Sequence, residues 1–153
     1  MEPARKPLAA IFDMDGTLVD VTGVRHYVAQ RPRNFDHFHR ASRFSPPQPW
    51  VVDMARELHE GGVRVLVVTG RAAQYREVCE DWLEKYAVPY ERLLTRGFRD
   101  NRPDYVVKEE ILQRLLQDYE IALAVDDNPE VISLWRRHGI PVIEVPGWPG
   151  RSH

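Results

Sequence analysis

Apolar positions along this chain fall into short unbroken runs separated by stretches of helical period. Residues 8–12, LAAIF, are a continuous apolar run of the length of a buried strand. Residues 50–60, WVVDMARELHE, place Val51, Met54, Ala55 and Leu58 at helical spacing, and Gly61-Gly62 ends that helix. The β-branched run VRVLVVT at 63–69 predicts a second buried strand. Residues 73–86 predict a helix with Val78, Trp82 and Leu83 inward, and ERLLT at 91–95 a weaker strand. Asp104 is placed to cap a helix over 105–118 whose inner side is Val107, Ile111, Leu112 and Leu115. IALAV at 121–125 predicts another strand. Pro129 fits the first position of a helix running to about His138, with Asn128 or Asp127 as its cap. PVIEV at 141–145 predicts the last strand.

Strands that alternate with helices imply right-handed crossovers and an α/β fold, a parallel sheet with helices on both faces. In such sheets ligands bind beyond the carboxyl ends of the strands, near the point where strand order reverses. Three polar sets fall at strand ends: Asp13 and Asp15, then Thr69-Gly70-Arg71, then Asp126 and Asp127. Residues 20–49 carry prolines, arginines, histidines and aromatics without a period, which predicts an inserted loop or small helical flap over those ends. That insertion, and the stretch between 95 and Lys108, leave no room for a large cap domain. The expected organisation is one domain over residues 1–153 with this flap.

Composition narrows the class without naming a chemistry. The 153 residues suit one domain, and 43% hydrophobic with 29% charged residues reads as globular. Cys79 is the only cysteine, so no intrachain disulfide can form, and a reducing, cytoplasmic setting is the simple reading. Cys79 itself reads as a half-buried helix residue. The run at 8–12 is too short for a signal-peptide core, and no stretch approaches the ~18–20 apolar residues of a membrane span. With a net charge of −2, nucleic-acid binding finds no support in the global charge and needs a local patch.

Acids converging at one sheet edge are costly: two like charges 4 Å apart repel by about 4 kcal/mol at an effective dielectric of 20. Something positive should compensate. An all-oxygen donor set favours a hard divalent ion, and Mg²⁺ is the one that also touches substrate phosphate. A carboxylate can also attack phosphorus, which divides one displacement into two, and a second acid can then move the protons. Asp13 and Asp15 fit those two roles. A spacing of two along a strand would send them to opposite faces; Gly16 marks the place where the backbone leaves the strand and can turn both toward one site. Thr69 and the Gly70 amide can bind phosphate oxygens, and Lys108 can add positive charge.

FDMDGTL, VVTGR, a lysine at 108 and VDD, in that order, resemble the four motifs of the haloacid dehalogenase superfamily over residues 8–146. The resemblance implies a Rossmann-like sheet and Mg²⁺-dependent phosphoryl transfer through an aspartate. It implies Asp13 as nucleophile and metal ligand, and Asp15 as general acid/base that also gives its backbone carbonyl to the metal. It further implies Thr69 and Lys108 on the phosphoryl group, Asp126 as metal-ligand acid, and Asp127 as the second acid of that motif. RPDYVVKEEI at 102–111 and LAVDDNPEVISLWRRHGI at 123–140 are similar to the 3′-phosphatase domain of phage-type polynucleotide kinase/phosphatases. That narrower likeness implies Arg71 as a phosphate ligand, Asp104 as a further active-site acid, and an arginine after the first motif, either Arg25 or Arg33. The sequence has no GxxxxGK[ST] P-loop, so a separate kinase or ligase partner is expected to act on the same end.

The flap bears on the substrate. It holds Arg25, Arg31, Arg33, Arg40 and Arg43 with His26, His37 and His39 among Tyr27, Phe35, Phe38 and Phe44. Arginines that bind backbone phosphates and aromatics that stack on bases suit a single-stranded end; solvated arginines over aromatics packed on the sheet are the other reading. The histidines lack thiolate partners, which disfavours zinc. The expected substrate is a phosphorylated nucleic-acid 3′ end, DNA or RNA. The alternatives are a small-molecule phosphatase such as a nucleotidase, and a non-catalytic end-binding module.

Overall fold

A computed structural model describes residues 5–29 and 32–146. Arg31 of the flap lies outside the described residues. Five strands form one all-parallel sheet: β1 (Leu8–Phe12), β2 (Arg64–Ala72), β3 (Arg92–Arg96), β4 (Glu120–Asp126) and β5 (Val142–Glu144). Their spatial order is β3-β2-β1-β4-β5. The order reverses beside β1, so the carboxyl ends of β1 and β4 open on one crevice. Asp13 and Asp126 stand at those two ends. Asp13 continues the ladder past the end of β1, its amide donating to the Val125 carbonyl at 3.1 Å.

Each face of the sheet is covered by apolar sides of helices. On one face lie α3 (Pro49–Glu60) and α4 (Arg76–Lys85), which bury Val51, Val52, Ala55, Cys79, Trp82 and Leu83 against Phe12, Val65 and Val67. On the other lie α5 (Asp104–Asp118) and α6 (Pro129–Arg137), which bury Ile111, Leu112, Leu115, Leu134 and Trp135 against Ile11, Leu66 and Val68. Pro49 and Pro129 occupy first-turn positions, where a missing amide proton costs nothing. Asn128, rather than Asp127, caps α6 by accepting from the Glu130 amide at 3.1 Å.

Four expectations need revision. Asp104 does not cap α5 but begins it; Pro103 precedes it, and its carboxylate turns inward to Arg96 and Lys108. Cys79 is fully buried. The strand expected to stop at Thr69 runs to Ala72, and its register with β3 shifts between Val68 and Ala72. The helix expected from 73 starts at Arg76, after a single 3₁₀ turn.

Between β1 and α3 the described residues form two short helices, α1 (His26–Ala29) and α2 (Phe35–Ala41), and one 3₁₀ turn. The two ends of this flap are tied together: the Asp20 amide donates to the Pro46 carbonyl at 2.9 Å, and the Gln48 amide to the Leu18 carbonyl at 2.8 Å. Its body is pinned to the domain by Trp82 Nε1 on the Ser45 carbonyl (2.9 Å) and by the Tyr75 hydroxyl on Asp36 (2.7 Å). Phe38 is buried beneath it. Among the described residues no helix is long and apolar enough to cross a membrane.

Candidate active site

The site is built around one buried cation. Lys108 lies one helical turn after Asp104 on the inner side of α5, with no exposed surface. Its ammonium donates to Asp13 Oδ1 at 2.9 Å and to Asp126 Oδ2 at 3.4 Å, and Asp104 Oδ2 is 3.9 Å away. Burial alone would lower its pKa. The carboxylates of Asp126, Asp13 and Asp104 outweigh burial and hold it above the ordinary lysine range, so it is charged.

Around Lys108 the acids are fixed by the ends of their strands. Asp126 Oδ1 accepts from the amides of Asp127 (2.8 Å) and Asn128 (3.0 Å), and its Oδ2 lies 3.4 Å from Trp135 Nε1. Thr17 Oγ1 stands 3.2 Å from both Asp13 Oδ2 and Asp127 Oδ1, with one proton to give. Gly16 adopts a φ of +81° in the turn between them, where a side chain would be strained. Asp13, Asp126 and Asp127 each offer a carboxylate oxygen within 4.8 Å of the others.

Asp15 is turned away from this group. Arg71, buried on β2, grips it with both prongs, Nε on Oδ2 at 2.9 Å and Nη2 on Oδ1. Burial opposes the charge on Arg71, and the Asp15 carboxylate more than restores it. Asp13 and Asp15 thus face different cations, although the turn at Gly16 was expected to bring both toward one site. Arg71 Nη1 also lies 3.7 Å from Cys79 Sγ; burial pushes that thiol up, which makes it a poor nucleophile.

The shift in register between β2 and β3 falls at Thr69-Gly70-Arg71. Thr69 Oγ1 accepts from the Arg71 amide at 3.2 Å. Asp104 fills the space over Gly70 so closely that a Cβ there would lie 1.9 Å from its Oδ1. Arg96, at the end of β3, joins these pieces by donating to the Gly70 carbonyl and to Asp104 Oδ1. Arg33 lines the cavity above Asp15, and Arg25, half-buried before α1, does not.

Sequence reading gave Thr17, Arg96, Trp135 and His39 no part in the site beyond the place of His39 in the flap. Thr17 and Arg96 carry a legible signal, since Thr17 lies in the first motif four residues after Asp13 and Arg96 ends β3. His39 does not: it reaches the site only because α2 folds back onto Tyr75, with ring centroids 4.6 Å apart. Burial lowers its pKa to about 4, so it is neutral near pH 7.

The donor set fits a divalent cation. Five buried carboxylates (Asp13, Asp15, Asp104, Asp126 and Asp127) face Lys108, Arg71 and the half-buried Arg96. The formal excess is two negative charges, and the oxygens that carry it are hard ligands.

A family model described as the polynucleotide kinase PNKP phosphatase domain matches residues 7–147. The chain belongs to this family. Among solved structures, a chain of the Pnkp1/Rnl/Hen1 complex is 29% identical with a TM-score of 0.79, covering 92% of this chain and 46% of its own length. A chain of the Pnkp1/Rnl/Hen1 RNA repair complex matches equally well over 42% of its length. This PNKP-type phosphatase domain therefore spans less than half of those relatives. The class C acid phosphatase from Bacillus anthracis with tungstate bound is 15% identical, with a TM-score of 0.73 over 95% of this chain and 69% of that one. At that identity it shows the shared haloacid dehalogenase fold alone.

Proposed function

We infer that this domain is a Mg²⁺-dependent phosphomonoesterase that works through an aspartyl-phosphate on Asp13 and removes 3′-phosphate from polynucleotide ends. The observation that carries this reading is Lys108, enclosed in the core and held against Asp13 and Asp126. A buried ammonium among acids is stable only where anions stay. Its hydrogen bond to Oδ1 also keeps the Asp13 carboxyl aimed, as a nucleophile must be.

The steps follow from the residues. Asp13 attacks phosphorus while the bond to the sugar oxygen breaks, and Asp15 gives that oxygen its proton. Asp15, now a carboxylate, takes a proton from water; the water attacks phosphorus, and Asp13 is released with inorganic phosphate. Thr69 and the Gly70 amide hold the phosphoryl oxygens, and Lys108 balances the charge that passes between Asp13 and phosphate. Mg²⁺ held by Asp13, Asp126 and Asp127, with the Asp15 carbonyl, would neutralise the acids and polarise the phosphoryl group. Arg71 favours the ionised form of Asp15, the form the second step uses, and so sets how readily the first step finds its proton. A flap of two short helices in place of a large cap supports a polymeric substrate, and the relatives' place in an RNA repair complex supports a phosphorylated end, with a separate kinase or ligase acting on it.

The test is phosphate release from 3′- and 5′-phosphorylated DNA and RNA oligonucleotides and from nucleoside monophosphates, with Mg²⁺ and with EDTA. Mg²⁺-dependent turnover of the 3′-phosphorylated oligonucleotides is expected, and Asp13→Asn should lower it at least ~10³-fold with the fold intact. Preference for free nucleotides would make it a small-molecule phosphatase. Affinity for ends without release would make it a binding module. Near-normal turnover by Asp13→Asn would remove the nucleophile assignment.

A further inference from the structure

A cavity of about 680 Å³ opens above Asp15, within the usual range for a ligand site. Asp15 and Gly70 line it, but Asp13, Lys108, Asp126 and Asp127 do not. On the reading above, the group that takes the proton of Asp15 belongs in this cavity, next to the Gly70 amide that holds the phosphoryl oxygens.

One wall is the flap, with Val28, Arg33, Phe35, Phe38 and His39; the other is the strap of residues 97–103 after β3. That strap is held rigidly. Arg96 Nη1 donates to the carbonyls of Asp100 (2.9 Å) and Arg102 (2.7 Å). Arg102 in turn grips Asp100 through Nε (2.9 Å) and Nη2 (2.8 Å) and reaches Glu110. Arg99 is one of two non-glycine residues among those described with a left-handed backbone, at a φ of +65°. Such a conformation costs energy and persists where the surroundings impose it. What this frame presents is Phe98, 63% exposed, with the Arg99 guanidinium 5.2 Å over its ring. Phe35, 42% exposed, lies on the opposite wall. An apolar ring held in water on a stiff, strained strap gains nothing for the fold.

We propose that Phe98 is the platform on which the base of the terminal nucleotide stacks, with Arg99 and Arg33 placed for the phosphate of the nucleotide before it. This rests on the polynucleotide reading above. Aromatic rings bind bases through their faces, and arginines follow the backbone without reading sequence. The subsite therefore recognises that a base is present, not which one. Among the described residues neither Arg33 nor Arg99 has an ion-pair partner, whereas Arg71, Arg96 and Arg102 do.

Two single-stranded oligonucleotides ending in 3′-phosphate test this, one with an ordinary terminal nucleotide and one with an abasic terminal sugar. The wild-type domain is expected to prefer the base-bearing end by about tenfold in kcat/KM, carried by KM. Phe98→Ala should remove the preference, Phe98→Trp should keep it, and Phe44→Ala, exposed but outside the cavity, should leave it as it was. On the Asp13→Asn protein, a terminal 2-aminopurine should lose fluorescence on binding, and the added Phe98→Ala should abolish that quenching. A preference that survives Phe98→Ala, or no preference in the wild type, overturns the subsite and leaves the 3′-phosphatase reading standing. If neither oligonucleotide is hydrolysed while mononucleotides are, the 3′-phosphatase reading fails, and the 2-aminopurine signal alone decides the subsite: loss of quenching with Phe98→Ala supports it, and no quenching overturns it.

Discussion

Arg71 shows what one side chain can decide. VVTGR places it at the sheet edge, and residue type and order say no more than that. Which anion its guanidinium faces depends on where the turn at Gly16 sends Asp15, a through-space fact that no local pattern encodes. In the structure it faces Asp15, completely buried. A guanidinium this close to a carboxylate favours its ionised form. Removing it raises the pKa of Asp15, so the carboxylate needed to activate water exists only at higher pH, and the protonated acid needed by the leaving oxygen persists to higher pH. Both limbs of the pH–rate profile should therefore move upward in Arg71→Gln, and less in Arg71→Lys, which keeps the charge but loses the fork. Unmoved limbs in Arg71→Gln would show that Asp15 is not the titrating group. Leaving Asp15 buried without its partner should also cost Arg71→Gln about 3–5 kcal/mol in urea unfolding.

At the scale of elements, the strands and helices were legible because each carries a period or a β-branched run, and the all-parallel sheet follows from their alternation. What was not legible is the shape of β2. An apolar run predicts a strand up to Thr69, but extended backbone continues through Gly70 and Arg71, because Arg96 and Asp104 grip that segment from the neighbouring β3 and α5. The flap also escaped the pattern, since two short helices with one buried residue each have no period to read. Gly70 tests the grip. Its open side is filled by Asp104, so Gly70→Ala must push that carboxylate away from Arg96 and Lys108. Overpacking of this kind costs about 1–3 kcal/mol. Thermal unfolding should fall by about 2–12 °C for a domain of this size, and phosphate release should fall with it. Adding Asp104→Gly should restore part of the lost stability, because the colliding atoms are then gone. Failure of the second change to rescue the first would mean that Asp104 does not fill that space in solution.

For the whole molecule, the ordered motifs foretold which residues the sheet would bring together, but not the charge they would share. Two formal negative charges remain after every cation in the site is counted, and they lie in the core rather than on the surface, where salt could screen them. Such an excess destabilises the empty fold and stabilises any fold that binds a small divalent cation. Binding to the native state alone adds about 2.7 kcal/mol at a hundredfold excess over Kd. For a domain of this length that is roughly 5–11 °C in Tm. Mg²⁺ should therefore raise the melting temperature of the wild type by about that amount, and EDTA should reverse it. Asp127→Asn removes one charge of the excess, which gives two opposite signs in one variant. Its Tm without metal should rise above that of the wild type, and its gain from Mg²⁺ should shrink. A variant that loses stability without metal would mean that Asp127 serves the turn before α6 rather than a cation. An undiminished gain would place the ion elsewhere, and with it the negative charge that the sheet was expected to concentrate.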